Sequence, residues 1–345
     1  MAMPAARRLA SRVLSPVPLS IVAGLVLGAV VMAATGNDPI DVYTEIVRGA
    51  LAGPNLVYTI GWSAPLVGMT MAVALPLRGG LVNLGGDGQL VLGGIASVIV
   101  ALYLPAPGTV RLVAALAAGI GAGGLYGMLA AWGETRWRVP MLISTLLLNY
   151  PAKNLASYLV NFPMRDPANG MPESHMVAVG ARLPSLPGTP LSSSVVLMAI
   201  AVAMIIVFDR RSVAGYELRM RGLNARFAGY GGVDLDRQAL WTMFAGGAMA
   251  GLVGASIVLG DQFRYTDGAL VSPNYTWTGL MAALLANGEP AAAVVAAVFF
   301  AALQIGGFGM ERATSIPREL TSVLQAIIIL LLASRSGLRR LGLGT

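Results

Sequence analysis

The sequence predicts an all-α integral membrane protein of about ten transmembrane helices, and three observations carry that prediction. Of 345 residues, 56% are hydrophobic and only 11% charged, where soluble domains average about 25% charged; the mean hydropathy is +0.72. The apolar stretches are helix-length and lack the period-two alternation of outer-membrane strands. The charges fall between the stretches: the formal net charge of +7 comes almost wholly from arginine, with Lys153 the only lysine. Arginines placed this way read as topology determinants rather than as nucleic-acid contacts.

In chain order, spans are predicted near 16–35, 55–77, 81–104, 110–132, 139–161, 191–208, 239–260, 273–286, 290–307 and 320–334. Arg7, Arg8 and Arg12 precede the apolar run Leu19–Ala34, which continues into TGNDP without a small-residue cleavage site, so a retained first span is expected. The third span is broken. Its entry, RGGLVNLGGDGQLVLGG from Arg78 to Gly94, carries Asn83, Asp87 and Gln89 among seven glycines. Each glycine costs roughly 1 kcal/mol against alanine in a helix interior, and an ionised Asp at mid-bilayer costs at least about 2.5 kcal/mol. Such a stretch is tolerated where the backbone breaks or packs around something polar.

The fifth span carries Asn149, Lys153 and Asn154. Asn149 and Lys153 are four residues apart and share a helix face. Lys153 lies roughly 21 Å from the inner end of its span, leaving two readings: it snorkels outward past Pro163, or it faces a water-filled path, where it can pair with Asp87. The eighth and ninth spans are short and meet at Asn287-Gly288-Glu289-Pro290, as half-helices lining a cavity or as a plain tight hairpin.

Arginine counting sets the orientation. With the N-terminus inside, fifteen arginines fall in inner loops, Arg78, Arg210, Arg219 and Arg335 among them, and seven outside, including Arg48, Arg165 and Arg264. Both termini are then cytoplasmic. Two loops are long. The outer loop, 163–190, is proline-rich and reads as a stiff extended segment that either docks an external partner or caps the bundle. In the inner loop, 209–238, the stretch GYELRMRGLNARFAGYGGVD has the make-up of a short amphipathic helix. Leu218, Leu223 and Phe227 fall near helical spacing, and Gly229, Gly231 and Gly232 end it. It suits a topology loop, a helix on the membrane surface or a docking element.

Much chemistry is excluded. There is no cysteine and only one histidine, His175, so no metal site of the usual kind is expected. A phosphate-binding GxxxxGK[ST] loop needs a lysine, and Lys153 is followed by Asn154. With nucleophile–base pairs nearly unavailable, catalysis within the chain is not expected, which leaves transport, with an intramembrane enzyme as the distant rival class.

These residues closely resemble permease subunits of ABC importers of the ribose/branched-chain amino acid type, and among them the nucleoside and simple-sugar permeases. GLVNLGGDGQ is similar to that group's G-L-x-N-I-G-x-E-G-Q, departing at Leu84 and with Asp87 for the glutamate. STLLLNY, FPMRDPANGMPES and SIPRELTSVLQAIIILLLA resemble further family stretches, so the likeness covers roughly residues 60–335. The inner loop resembles the family's coupling helix, with Arg219, Arg221, Gly222, Asn224 and Tyr230 in the matching stretch. The resemblance implies one transmembrane permease domain over 1–345 in the cell membrane, importing nucleosides or simple sugars by alternating access. Asn83, Asp87, Gln89, Asn149, Lys153 and Asn154 would line its path. It further implies a second permease chain, cytoplasmic ATPase subunits holding ATP and magnesium, and an extracytoplasmic solute-binding protein, with no cofactor in this chain. The alternative is a stand-alone secondary transporter driven by protonation of Asp87.

Overall fold

A computed structural model describes residues 16–34, 36–168, 170–314, 316–327 and 330. Arg7, Arg8, Arg12, Arg335, Arg339, Arg340 and the end of the tenth predicted span lie outside the described residues. The named elements are helices α1 (Pro16–Ala34), α2 (Pro39–Leu51), α3 (Asn55–Arg78), α4 (Gly86–Tyr103), α5 (Gly108–Trp137) and α6 (Met141–Asn161), then α7 (Ser194–Arg211), α8 (Val213–Leu223), α9 (Ala225–Tyr230), α10 (Leu235–Ile257), α11 (Tyr275–Leu285) and α12 (Pro290–Ala313). Among the described residues, five segments are long and apolar enough to cross a membrane: α3, α4, α5, α10 with its π-helical extension to Gln262, and α12. The protein is therefore helical and built for a membrane.

The contacts divide the chain into two units: one comprises 1–59, 284–286 and 299–345, the other 60–283 and 287–298. In the first unit, α2 occupies a stretch expected to be an outer loop. Its start is legible after the fact: Asp38 caps it by accepting from the Ile40 N–H at 2.8 Å, and Pro39 takes the first helical position, where a missing N–H is harmless. Val42, Ile46, Gly49 and Ala50 form its buried face. Gly49 meets the C-terminal part of α12 so closely that a β-carbon there would lie 2.8 Å from the Gly306 oxygen and 2.8 Å from the Gly309 α-carbon. The ninth predicted span is not short as expected: α12 runs for 24 residues.

The second unit is built around α4, α5 and α10. Gly119, Gly123 and Gly127 recur every four residues along α5 and face Gly247 and Gly251 on α10, while Gly93 of α4 closes on Gly251. Small residues at this spacing let backbones approach where lipid supplies no hydrophobic drive between helices. In the span containing α10, 83% of the most apolar window is buried, so α10 is the core of this unit. α11 is short, 11 residues, and rests on α3 at Gly279, where a β-carbon would stand 3.0 Å from the Met69 carbonyl carbon. Asn287 (φ 51°) and Gly288 (φ 70°) take left-handed conformations in the turn that leads to Pro290.

The proline-rich segment 163–190, expected to be a stiff extended loop, contains turns and a short 3-10 helix, Val179–Ala181, and its backbone is paired rather than loose. Asp267 N–H donates to the Pro172 carbonyl, Ser174 N–H to Tyr265, Val177 N–H to Phe263 and Leu183 N–H to Leu259, at 2.8–3.0 Å. Glu173 and Arg264 form an ion pair across the same seam. Val177, Ala181 and Leu183 are buried with Ala101, Ala115 and Leu259. A loop that buries backbone must satisfy its polar groups, and here residues 259–267 do so.

Candidate functional site

The break before α4 is where the sequence puts its densest polar cluster. α3 ends at Arg78, Gly80 takes a left-handed φ of 72°, and Leu81 N–H returns to the Pro76 carbonyl at 3.0 Å. Residues 81–85 then run without helix, leaving peptide groups that a membrane interior cannot hydrate. Side-chain amides replace the missing helical bonds. Asn149 on α6 donates through Nδ2 to the Leu84 carbonyl and accepts through Oδ1 from the Gly88 N–H, both at 2.8 Å. Thr145 Oγ1 accepts from Leu84 N–H at 3.1 Å, and Asn83 Oδ1 from Gly85 N–H at 3.0 Å. Asn83 and Gln89 join in a reciprocal amide pair, with Nδ2 to Oε1 at 2.9 Å and Nε2 to Oδ1 at 3.1 Å.

Asn83, Gln89 and Asn149 are 1%, 2% and 6% exposed. They were expected to line the path; each has its amide oxygen and nitrogen bonded within the chain. Gly85 and Gly88 permit that closeness: β-carbons there would lie 3.0 Å from the Thr145 carbonyl oxygen and 3.2 Å from the Asn149 α-carbon.

Asp87 occupies the first turn of α4, where the helix dipole favours an anion, and Lys153 Nζ donates to its Oδ2 at 2.6 Å. Of the two readings left for Lys153, pairing with Asp87 is the one observed. The Asp87 side chain is 6% exposed and that of Lys153 35%, so the pair opens on the lysine side. Asn154 is exposed and Tyr150 is 66% exposed. Three further polar residues continue upward. Ser157 Oγ donates to Asp267 Oδ2 at 2.7 Å, and Asn161 Nδ2 donates to the same oxygen at 3.2 Å. Burial, then the Asp267 charge, pushes the neighbouring Tyr265 hydroxyl pKa up. Sequence reasoning missed Ser157, Asn161 and Asp267, although the i, i+4, i+8 spacing of 153, 157 and 161 was there to be read.

The arginine-rich loop after α7 is two helices, not the single amphipathic helix expected. Ser212 caps α8 by accepting from Gly215 N–H at 2.9 Å. Asn224, with extended backbone (φ −159°), caps α9 by accepting from Phe227 N–H at 3.0 Å. The break turns Leu218 inward, 2% exposed, against Gly79, and leaves Leu223, Phe227 and Tyr230 exposed at 85%, 59% and 92%.

Arg219 and Arg78 both donate to the buried Asp209 carboxylate, at 3.3 and 3.4 Å. Arg221 donates to the Leu235 carbonyl; its burial draws its pKa down, and nearby Glu134 and Asp236 push it back up. Gly222 lies against the Arg78 carbonyl and 3.5 Å, measured from a β-carbon, from the Gly79 α-carbon. Arg219, Arg221, Gly222 and Asn224 thus hold the loop together, while Tyr230 is free to meet another molecule. Among the described residues, no group of three or more His, Asp or Glu side chains is arranged to hold a metal ion.

A family described as "Branched-chain amino acid transport system / permease component" matches residues 55–333. The glucose ABC transporter permease protein TsgB13 of Haloferax volcanii is 32% identical, over 94% of this chain and 88% of its own length. The guanosine ABC transporter permease protein NupP of Bacillus subtilis is 31% identical, over 94% of both. The nucleoside ABC transporter permease protein NupB of Lactococcus lactis subsp. cremoris is 26% identical, over 93% of this chain and 91% of the relative. With a helical bundle, a polar break at its heart and relatives matched nearly end to end, the chain belongs to the permease family of the branched-chain amino acid transport systems and is an ABC importer permease subunit of the nucleoside and simple-sugar type.

Proposed function

We propose that this subunit forms the translocation path for nucleosides or simple sugars and moves them inward by alternating access. The names of the relatives support that solute range. One structural observation carries the mechanism: the cytoplasmic loop and the broken segment touch directly. Leu218 packs on Gly79, and Gly222 lies on the Arg78 backbone, immediately before residues 81–85. A displacement of α8 and α9 is therefore delivered to the segment that holds Asn83, Asp87 and Gln89, and through Asp87 to Lys153. Leu223, Phe227 and Tyr230 form the face offered to a cytoplasmic ATPase.

In this reading the chain crosses the membrane ten times as one permease domain, with both termini in the cytoplasm. It pairs with a second permease chain and two ATPase subunits, where ATP and magnesium bind, and receives solute from an extracytoplasmic binding protein. Lys153 and Asn154 face the path; Asn83, Gln89 and Asn149 hold the wall that carries it. The test is uptake of labelled nucleosides, pentoses and hexoses by vesicles containing the whole importer. Uptake that follows ATP and survives collapse of the proton gradient supports the reading. Uptake that follows the gradient and ignores ATP overturns it.

A further inference from the structure

Ser157, Asn161 and Asp267 have no part in the scheme above, yet their placement is unusual for a spanning helix. Successive residues turn by about 100°, so Lys153, Ser157 and Asn161 drift slowly along one flank of α6, with Tyr150 and Asn154 beside them. The buried face, with Asn149, Ala152, Ala156 and Val160, lies to one side, and the exposed apolar face, with Leu147, Leu155 and Tyr158, to the other. Polar groups at this depth face the protein interior or a water-filled cavity rather than lipid, and the partly exposed Lys153 and exposed Asn154 leave this flank open. Both donors reaching Asp267 bond its Oδ2, and among the described residues its Oδ1 takes no donor. A carboxylate accepts about four hydrogen bonds, so capacity remains. The Asp267 N–H is tied to Pro172, which fixes the carboxylate against the outer end of α6.

Resting on the proposed function, we infer that Asp267, held by Ser157 and Asn161, is a solute-binding residue: an outer subsite for vicinal hydroxyl groups of a ribose or hexose. Carboxylate oxygens accept from such hydroxyls, and a second anionic group, Asp87 with its Lys153, stands about one to two helical turns further in, roughly 6–12 Å along α6. A pentose or hexose ring is shorter than the upper end of that interval, so the solute passes from the outer hydroxyl acceptor to the inner one rather than holding both at once.

The test compares Asp267→Asn with wild type in vesicles holding the complete importer, using the best-transported nucleoside or sugar and its deoxy analogue. The variant should raise KM for the hydroxylated solute on the order of tenfold, the loss of one charge-assisted bond, and leave KM for the deoxy analogue nearly unchanged. An equal effect on both solutes assigns Asp267 to loop structure alone and overturns the inference, as does an unchanged KM. If the Asn variant fails to reach the membrane, Ser157→Ala, which removes one of the two bonds orienting the carboxylate, should show the same selective rise in KM, and its absence is equally fatal. Wild-type importer that carries no nucleoside or sugar at all overturns the proposed function itself, an outcome visible before any variant is made.

Discussion

Replacing Gly123 with alanine tests the glycine seam that holds α4, α5 and α10 together. The added β-carbon would lie 2.7 Å from the Gly251 α-carbon and 2.8 Å from its nitrogen, and would also meet the Gly247 carbonyl. All three are backbone atoms, so no side chain can swing aside. Carbon atoms prefer about 3.5–4.0 Å, so the helices must part by roughly 0.8 Å or more, and a gap of that size forfeits about a quarter to a half of each dispersion contact along the seam. Overpacking of this kind costs about 1–3 kcal/mol. Alanine's better helix propensity returns up to about 1 kcal/mol, leaving a net loss of up to about 2 kcal/mol where that gain is realised in full. Gly121 provides the control, since a β-carbon there meets nothing within 4 Å. Thermal denaturation of the purified importer should show Gly123→Ala melting below wild type and Gly121→Ala at or slightly above it. If the two variants melt together, the close approach of α5 and α10 is wrong.

Three further outcomes are expected. Lys153→Met leaves the Asp87 carboxylate buried without its partner, and importer yield should fall; adding Asp87→Leu should restore part of it, with a coupling of about 1–3 kcal/mol in a double-mutant cycle, reduced because Lys153 is partly exposed. Tyr230→Ser with Phe227→Ser should abolish solute-stimulated ATP hydrolysis at normal membrane yield, whereas Gly222→Trp, driven into the Arg78 backbone, should lower the yield itself. The chain has no cysteine, so Met171→Cys should react with a membrane-impermeant maleimide on intact right-side-out vesicles and Tyr230→Cys only after permeabilisation; the reverse pattern refutes the orientation.

The features legible in the sequence were those set by local chemistry. Hydropathy gave the class of fold, because a bilayer imposes apolar composition on every span. The third span read as broken because its glycines weaken a helix; the break falls at 81–85, and Gly86, Asp87 and Gly88 already belong to α4. What the sequence hid were partners. Asn83, Gln89 and Asn149 looked like path-lining groups because polar residues at membrane depth must bond something, and nothing local says whether that is a solute or the peptide of Leu84. Gly119, Gly123 and Gly127 announce a close-packed face by their spacing, but not that Gly247 and Gly251 lie opposite. The helix α2 was lost because its buried face, Val42, Ile46 and Ala50, is too short to stand out beside true spans.

This division of labour follows from the energetics of a broken helix. Each unpaired peptide group in hydrocarbon costs several kcal/mol, so residues 81–85 persist only while Thr145, Asn149 and Asn83 stay bonded to them. A solute that recruited those amides would have to break the bonds that hold the wall in place. On the proposed function, recognition is left to groups with spare capacity: the lysine side of the Asp87 pair and Asn154 on α6, and Asp267 beside the end of α6 that carries Asn161. In that reading the amides keep the break stable, the loop contacts at Gly79 and Gly222 let it be moved, and the flank of α6 meets the solute. A substitution that changes solute preference without changing yield should fall on the flank, and one that changes yield for every solute alike should fall among the amides.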